Sequence, residues 1–167
     1  LFPASVELYR RVGFELAGSY VIRRIPAAHL AAIPPTDPNL SQLSVSAVND
    51  SDELDLAGGD VRVRRGTVDD VAAVHRCYDR LAPQVDGAVS RTPAWWARRL
   101  PPDLVDTVLY VVDHPDQPGE LRGYGSYRHG KAPFPYDYSV VVSEVRAADG
   151  DALRSLWRVI GSSGSQA

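Results

Sequence analysis

The sequence has little sulfur and no long apolar run. Cys77 is the one cysteine among 167 residues, and there is no methionine. A single thiol cannot form an internal disulfide and fits a reducing cytoplasm. No stretch approaches the roughly 20 apolar residues that a membrane-spanning helix needs. The first residues, Leu1 to Ser5, lack the charged and apolar regions of a signal peptide. We therefore expect a cytoplasmic protein that does not span a membrane.

An excess of positive charge is also missing. The net charge is −3, with 44% apolar and 23% charged residues, the usual mixture for a globular protein. Nucleic acid would have to bind a local basic patch, because the whole molecule offers it no attractive field. Phe134, Tyr136 and Tyr138 near Lys131 are the one aromatic and basic combination of that kind, and the overall charge argues against this use. We expect no nucleic-acid partner.

A polar segment divides the chain. Residues 34–59 contain Pro34, Pro35, Pro38, Gly58 and Gly59 around a stretch rich in Ser, Asp and Asn. Such a composition buries too little apolar surface to offset its ordering entropy, which predicts a mobile linker. An ordered loop wrapped over a neighbouring domain is the alternative. Since the sequence begins without Met and stops in a Gly/Ser-rich end after an apolar helical segment, we interpret it as cut from a longer protein.

Ahead of the linker, the pattern predicts a short helix over 6–12, with Ser5 as its cap and Gly13 at its end. A strand over 14–24 and a turn or two of helix over 27–33 follow.

Behind the linker, a second and longer series of elements is predicted. Val61 and Val63 alternate with arginines in a strand over 60–65, and Thr67 and Asp70 have capping-box spacing ahead of a helix. That helix carries Val71, Val74, Tyr78 and Leu81 on one face. The remaining predicted elements are a short helix from Pro93 to Leu100, strands over 107–113, 121–128 and 138–146, and a helix over 151–160 with Leu153, Leu156, Trp157 and Ile160 on one face. The fold class is α/β (α+β): a mixed sheet with an antiparallel meander, flanked by helices.

Several segments of the sequence resemble the GNAT acetyltransferases, and specifically their Eis-like (enhanced intracellular survival) branch. The segments are Tyr9-Arg10-Arg11-Val12-Gly13-Phe14 with Leu1 to Ser5 before it and Ala17-Gly18 after it, Gly87-Ala88-Val89-Ser90-Arg91 with Trp95-Trp96, Ser143-Glu144-Val145-Arg146-Ala147, and Ala152-Leu153 through Leu156-Trp157-Arg158. The resemblance implies that 1–33 end a first GNAT domain, 34–59 link, and 60–167 open a second one. The fold would then be GNAT-like and incomplete at both ends, in a protein that is a homo-oligomer.

The resemblance implies acetyl-CoA as co-substrate, a primary amine as acceptor, and Tyr9 as the catalytic general acid. A phenol, with a pKa of about 10, is close to a CoA thiol in acidity and can protonate the departing sulfur. The alternative is that Tyr9 is an ordinary residue of an amphipathic helix. Ala4 and Ser5 would approach the CoA chain, where free backbone N–H groups suit a phosphate or an amide carbonyl; Ser5 as a plain N-cap is compatible with that.

The pyrophosphate loop of a GNAT domain, Arg/Gln-x-x-Gly-x-Gly/Ala, is missing. Arg10-Arg11-Val12-Gly13 and Arg64-Arg65-Gly66 lack the later glycine, and Arg122-Gly123-Tyr124-Gly125 lacks the last small residue and lies inside a predicted strand. In the Eis-like branch the base is the chain's own C-terminal carboxylate, so we expect this chain alone to be inactive. A non-catalytic GNAT-like scaffold is the second interpretation.

The other candidate residues favour structural roles. His75 and Cys77 point in different directions on one helix, so we expect no metal site. Trp95 and Trp96 could stack a ligand, although one buried ring is the commoner outcome. Arg62, Arg64 and Arg65 are interpreted as an outward strand face, and Asp113-His114 as a solvated turn.

Overall fold

A computed structural model describes residues 5–14, 22–34, 61–130 and 139–163. The helices in these ranges are α1 (Val6–Arg11), α2 (Ala27–Ala31), α3 (Val71–Leu81), α4 (Pro93–Arg99) and α5 (Gly150–Ser162). The strands are β1 (Val63–Arg65), β2 (Val108–Asp113), β3 (Leu121–His129) and β4 (Val140–Ala147). Short 3₁₀ turns at Val68–Asp70 and Ala82–Gln84 flank α3. No helix of the described ranges is long and apolar enough to cross a bilayer.

The strands form one antiparallel sheet in the order β1-β2-β3-β4. Tyr110 of β2 pairs with Gly125 of β3, which in turn pairs with Val145 of β4. Each strand thus pairs with the next along the chain, and all three pairs are antiparallel, as in a meander. The predicted mixed fold with helices flanking an antiparallel meander is confirmed.

Both faces of the sheet are covered by helices. Along β2, Leu109 and Val111 point to one apolar cluster, while Val108, Tyr110 and Val112 point to the other. This alternation follows from the two-residue period of a strand. Helices α3 and α4 complete the first cluster, and α5 completes the second. A strand buried on both faces, as β2 is, fixes the centre of the core.

The predicted inner face of α3 is confirmed, whereas that of α5 is partly wrong. Val74, Tyr78 and Leu81 are buried. In α5, Leu156 and Ile160 are buried, but Leu153 is 40% exposed. The buried residues of this helix follow the spacing Ala152, Leu156, Val159 and Ile160, and this apolar stripe leaves position 153 at the margin.

Arg64 joins three elements through two carboxylates. Its Nη2 lies 2.7 Å from Asp70 Oδ1, and its Nε lies 2.8 Å from Asp113 Oδ2. The hydrogen bond from Arg64 lowers the pKa of Asp70, and Asp70 Oδ2 also accepts the backbone N–H of Thr67 at 2.8 Å. The expected start of the helix at Thr67 and Asp70 is confirmed, but the interpretation of Arg64 as a plain outward residue is wrong. The Asp113 side chain is 39% exposed, and it also pairs with Arg64.

The first part of the chain is described in two pieces. Helix α1 ends one residue before its predicted end, and Gly13 has a φ of +91°, the left-handed conformation expected there. Of the strand predicted over 14–24, Phe14 and residues 22–24 have no strand conformation. Residues 15–21, with Gly18, lie outside the described residues, as do 35–59 of the predicted linker and 131–138 with the aromatic residues near Lys131.

Helix α2 packs against the end of α5 at Gly161. A Cβ on Gly161 would lie 2.7 Å from Leu30 Cβ and even closer to the backbone nitrogen of Ala31. The two helix backbones can meet there only because position 161 has no side chain. Helix α2, predicted within 1–33, therefore contacts the unit predicted over 60–167.

We expect Gly161→Ala to lower the free energy of unfolding by about 1–3 kcal/mol, since the added methyl group must push α2 away. Urea unfolding of the chain measures this. Gly150→Ala on the same helix is the matched control, because its Cβ would meet only the flexible guanidinium of Arg154, at 3.2 Å. Equal stability of the two variants would contradict the close contact between α2 and α5.

Candidate functional site

Tyr9 lies on α1, a helix of six residues with no buried side chain. Its ring is half-buried and meets the ring of Phe14 edge on, with 6.0 Å between centroids. The left-handed Gly13 turns the chain back, and the backbone N–H of Phe14 donates to the carbonyl of Tyr9 at 3.1 Å. The candidate acid therefore lies next to a tight turn on an otherwise exposed helix.

Ser5 occupies the N-cap position of α1 in an extended conformation. Its carbonyl accepts the N–H of Tyr9 at 3.4 Å, but its side chain accepts no hydrogen bond from the helix. Ser5 thus marks the helix start without capping it through its hydroxyl. Ala4, the second residue proposed near CoA, lies outside the described residues.

The junction between β4 and α5 is closed by the chain's own carboxylate. Asp149 Oδ1 accepts the backbone N–H groups of Asp151 and Ala152, each at 3.0 Å. Oδ2 of the same residue forms an ion pair with Nε of Arg122. Burial opposes ionisation of Asp149, but the hydrogen bonds from Arg122 and Ala152 outweigh it and lower its pKa. The positive end of the α5 dipole is therefore already neutralised by an anion.

This closed junction disfavours a phosphate at α5. Phosphate groups bind a helix N-terminus through free backbone N–H groups, and here Asp149 occupies two of them. Arg122-Gly123-Tyr124-Gly125 lies within β3, as the sequence pattern indicated.

Glu144 is a buried carboxylate on the face of β4 that lies opposite to α5. Glu144 faces Ser126 of β3, whereas the next pair is Tyr127 with Val142, so Ser143 is an extra residue that forms a β-bulge. The Glu144 side chain is 13% exposed. The bulge places this carboxylate towards α3 and α4.

Three residues donate four hydrogen bonds to the Glu144 carboxylate. Arg91 donates from Nη1 to Oε2 at 2.8 Å and from Nη2 to Oε1 at 2.6 Å. The hydroxyl of Tyr124 donates to Oε2 at 2.8 Å, and Nε of Arg146 donates to Oε1 at 3.0 Å. Burial raises the pKa of Glu144, but the hydrogen bonds from these donors more than offset it, so the pKa lies below its ordinary value. Burial, with the charge of Glu144, raises the pKa of Tyr124, which keeps that hydroxyl a donor.

Aromatic rings surround the guanidinium of Arg91. Its central carbon lies 3.3 Å from the ring centroid of Tyr78, 4.1 Å from that of Trp95 and 4.5 Å from that of Trp96. Trp96 is buried and Trp95 half-buried, so the expected single buried ring is confirmed. We call Tyr78, Trp95, Trp96 and Glu144 the Arg91 cage.

His75 and Cys77 have the structural roles that their spacing favoured. His75 stacks on Trp96 with 4.1 Å between ring centroids, and burial lowers its pKa. Cys77 is fully buried in the core, and burial raises its pKa to about 11. Within the described ranges, no group of three His, Cys, Asp or Glu side chains could hold a metal ion.

The sequence had singled out Arg91 and Glu144 only as parts of a resemblance, and the two tryptophans also as rings that could stack a ligand. Their association could not be deduced from spacing, because 53 residues separate Arg91 from Glu144. The available signal was a lone carboxylate in the apolar strand β4, which needs a buried cationic partner.

Comparison with known proteins agrees with this fold. Residues 87–167, slightly less than half of the chain, match the sequence model of a family described as "Acetyltransferase (GNAT) domain". No curated protein matches the chain in sequence.

Among solved structures, the chain is similar over its whole length to an acetyltransferase. That protein is a GCN5-related N-acetyltransferase from Kribbella flavida, with a TM-score of 0.59 and 20% sequence identity. The similarity covers 100% of this chain and 33% of that protein, so the chain spans about a third of its length. The fold of this chain is therefore that of the GNAT acetyltransferases, and residues 87–167 carry the sequence pattern of that domain.

Proposed function

We propose that this chain is a segment of an acetyl-CoA-dependent N-acetyltransferase of the Eis-like branch, which transfers acetyl to a primary amine of a small molecule or a lysine. The match of residues 87–167 to a GNAT domain carries the proposal. In this assignment residues 1–33 end a catalytic GNAT domain, and 60–167 open a second GNAT-like domain. The resemblance of the segment around Tyr9 to the end of such a domain supports the division.

The proposed reaction is direct attack of the amine on the thioester. A base outside this chain removes a proton from the amine, the nitrogen forms a bond to the acetyl carbon, and the carbon–sulfur bond breaks. Tyr9 donates its phenolic proton to the departing sulfur, so that free CoA leaves as a thiol. Ala4 and Ser5 would lie along the CoA chain at the start of α1.

The exposure of α1 supports its assignment to another domain. Leu8 is 61% exposed and Val12 69% exposed, and Phe14 is exposed as well. An amphipathic helix buries its apolar stripe against a neighbouring element in a folded domain. In our proposal that element is the sheet of the first GNAT domain, which would also fix the position of Tyr9.

For residues 61–163, a non-catalytic scaffold is the function that the closed α5 junction favours. Asp149 and Arg122 fill the position where a phosphate would meet the helix. Glu144 is neutralised by Arg91 and Arg146, so it is a poor base. We infer that this unit shapes or supports a site formed elsewhere in the protein.

The setting that we propose is a cytoplasmic homo-oligomer with no nucleic-acid, membrane or metal partner. The lone thiol of Cys77 supports the cytoplasmic setting, the net charge of −3 argues against nucleic acid, and the family resemblance implies the homo-oligomer. Acetyl-CoA and the acceptor amine are the ligands that it implies.

Tyr9→Phe in the longer polypeptide should lower kcat about 100-fold or more, because it removes the proton donor and keeps the ring. Steady-state acetyl transfer to an amine, followed by CoA release, measures this. The matched control is Glu7→Gln on the same helix, which loses only the exposed pair with Arg11 at 3.2 Å and should keep normal turnover. Full turnover of Tyr9→Phe would contradict the assigned role.

The 167-residue chain by itself should show no acetyl-CoA binding in a calorimetric titration, because α5 is capped by Asp149 and no pyrophosphate loop is present in its sequence. The longer polypeptide, titrated under the same conditions, is the positive control. Micromolar binding by the 167-residue chain would overturn the scaffold assignment.

A further inference from the structure

The guanidinium of Arg91 lies inside the Arg91 cage in the way that a bound ligand would. The Arg91 side chain is 4% exposed, and its guanidinium lies 3.3 Å from the Tyr78 ring centroid. Both oxygens of Glu144 accept hydrogen bonds from its Nη1 and Nη2. Aromatic faces and a bidentate carboxylate together recognise a planar cation by stacking and by paired hydrogen bonds.

Contacts that do not involve Arg91 hold the carboxylate of the cage. Tyr124 donates to one oxygen of Glu144 at 2.8 Å, and Arg146 donates to the other at 3.0 Å. Tyr124 and Arg146 therefore orient the Glu144 carboxylate independently of the Arg91 side chain.

The aromatic walls have supports of their own. The Tyr78 hydroxyl donates to the carbonyl of Val89 at 2.7 Å, and the Tyr78 and Trp96 rings meet at a right angle with centroids 5.4 Å apart. His75 stacks on the other side of Trp96. The hydroxyl of Thr92 accepts the N–H of Trp95 at 3.3 Å and fixes the start of α4.

Within the part of the chain that the structure describes, Arg91 leaves one of its hydrogen-bond donors without a partner. Arg91 Nε is buried and has no hydrogen-bond partner among the described residues. A buried donor that forms no hydrogen bond costs free energy. The stacking on the rings and the paired bonds to Glu144 must compensate for this cost. The cage therefore forms hydrogen bonds with the two terminal nitrogens, Nη1 and Nη2, and none with Nε.

We propose that Tyr78, Trp95, Trp96 and Glu144 form a pre-organised binding site for an alkylguanidinium group, and that Arg91 is its built-in ligand. An ammonium ion lacks the planar fork that matches both carboxylate oxygens. The site therefore selects a guanidinium, such as an arginine side chain, over a lysine-like cation. This inference does not depend on acetyl transfer.

Arg91→Ala empties the site and tests the proposal by chemical rescue. Ethylguanidinium restores the atoms that this substitution deletes beyond Cβ. At millimolar concentration it should raise the Tm of Arg91→Ala saturably and recover about half of the loss, because a ligand that binds only the folded state stabilises it. Ethylammonium, which lacks the fork, and ethylurea, which lacks the charge, should recover much less.

Two proteins serve as controls for the rescue. The unsubstituted chain has an occupied cage and should show no rise in Tm with ethylguanidinium. Arg99→Ala removes a guanidinium that lies 5.1 Å from the centroid of the Trp95 ring, on the exposed side, and should also show none.

Equal effects of ethylguanidinium and ethylurea on Arg91→Ala would overturn the proposal, because the binding would then not be that of a cation fork. An Arg91→Ala chain that fails to fold even with ethylguanidinium would overturn it too, since the walls would then depend on Arg91. Adding Glu144→Gln to Arg91→Ala should abolish the rescue, and a retained rescue would contradict the role of the carboxylate.

Discussion

The ion pair between Arg91 and Glu144 connects α4 and the loop before it to the strand β4 of the sheet. One partner precedes α4, and the other lies on the bulged edge of β4. Breaking a buried pair by removing one partner usually costs about 3–5 kcal/mol, because it leaves an uncompensated charge. Tyr124 and Arg146 share the carboxylate, so the attachment of α4 and its preceding loop to the sheet depends on Glu144 being ionised.

Charged residues have a similar function at two other junctions. Arg64 connects β1, the 3₁₀ turn before α3 and the end of β2 through Asp70 and Asp113. Arg122 of β3 pairs with Asp149 at the start of α5. Each arginine bridges elements that are distant in sequence, and Arg64 does so through paired hydrogen bonds from the planar fork of its guanidinium. In the proposed non-catalytic role of this unit, the ion pair of Arg122 with Asp149 fills the N-terminus of α5.

The local features of this fold could be predicted from the sequence. The capping residues before α3, the apolar face of that helix, Gly13 after α1 and the order of the meander are all encoded within a few neighbouring residues. The pairings of Arg64, Arg91 and Asp149 could not be predicted, because they depend on the sheet register and on the bulge at Ser143. Exposure of Leu153 was missed for a related reason: the width of a buried stripe depends on which partner covers it. The catalytic assignment of Tyr9 depends on family resemblance, and it stays a prediction.

The carboxylates of Glu144 and Asp149 make the stability of the described unit depend on pH. A carboxyl group whose pKa is lower in the folded state stabilises the protein above its unfolded pKa, and this stabilisation is lost as the pH falls through the folded value. Glu144 and Asp149 both have lowered pKa values, so the described unit should lose stability below the ordinary range of carboxyl groups.

Direct titration of Glu144 is the measurement that tests this account most closely. The chemical shift of its side-chain carboxyl carbon, followed by NMR against pH in the folded chain, gives the midpoint. We predict a midpoint below the usual value of about 4.3 for a glutamate, as expected for an ionised carboxylate bound by Arg91, Tyr124 and Arg146. A midpoint above that value would mean that burial outweighs the ion pair, and it would contradict the charged connection on which this description of the fold depends.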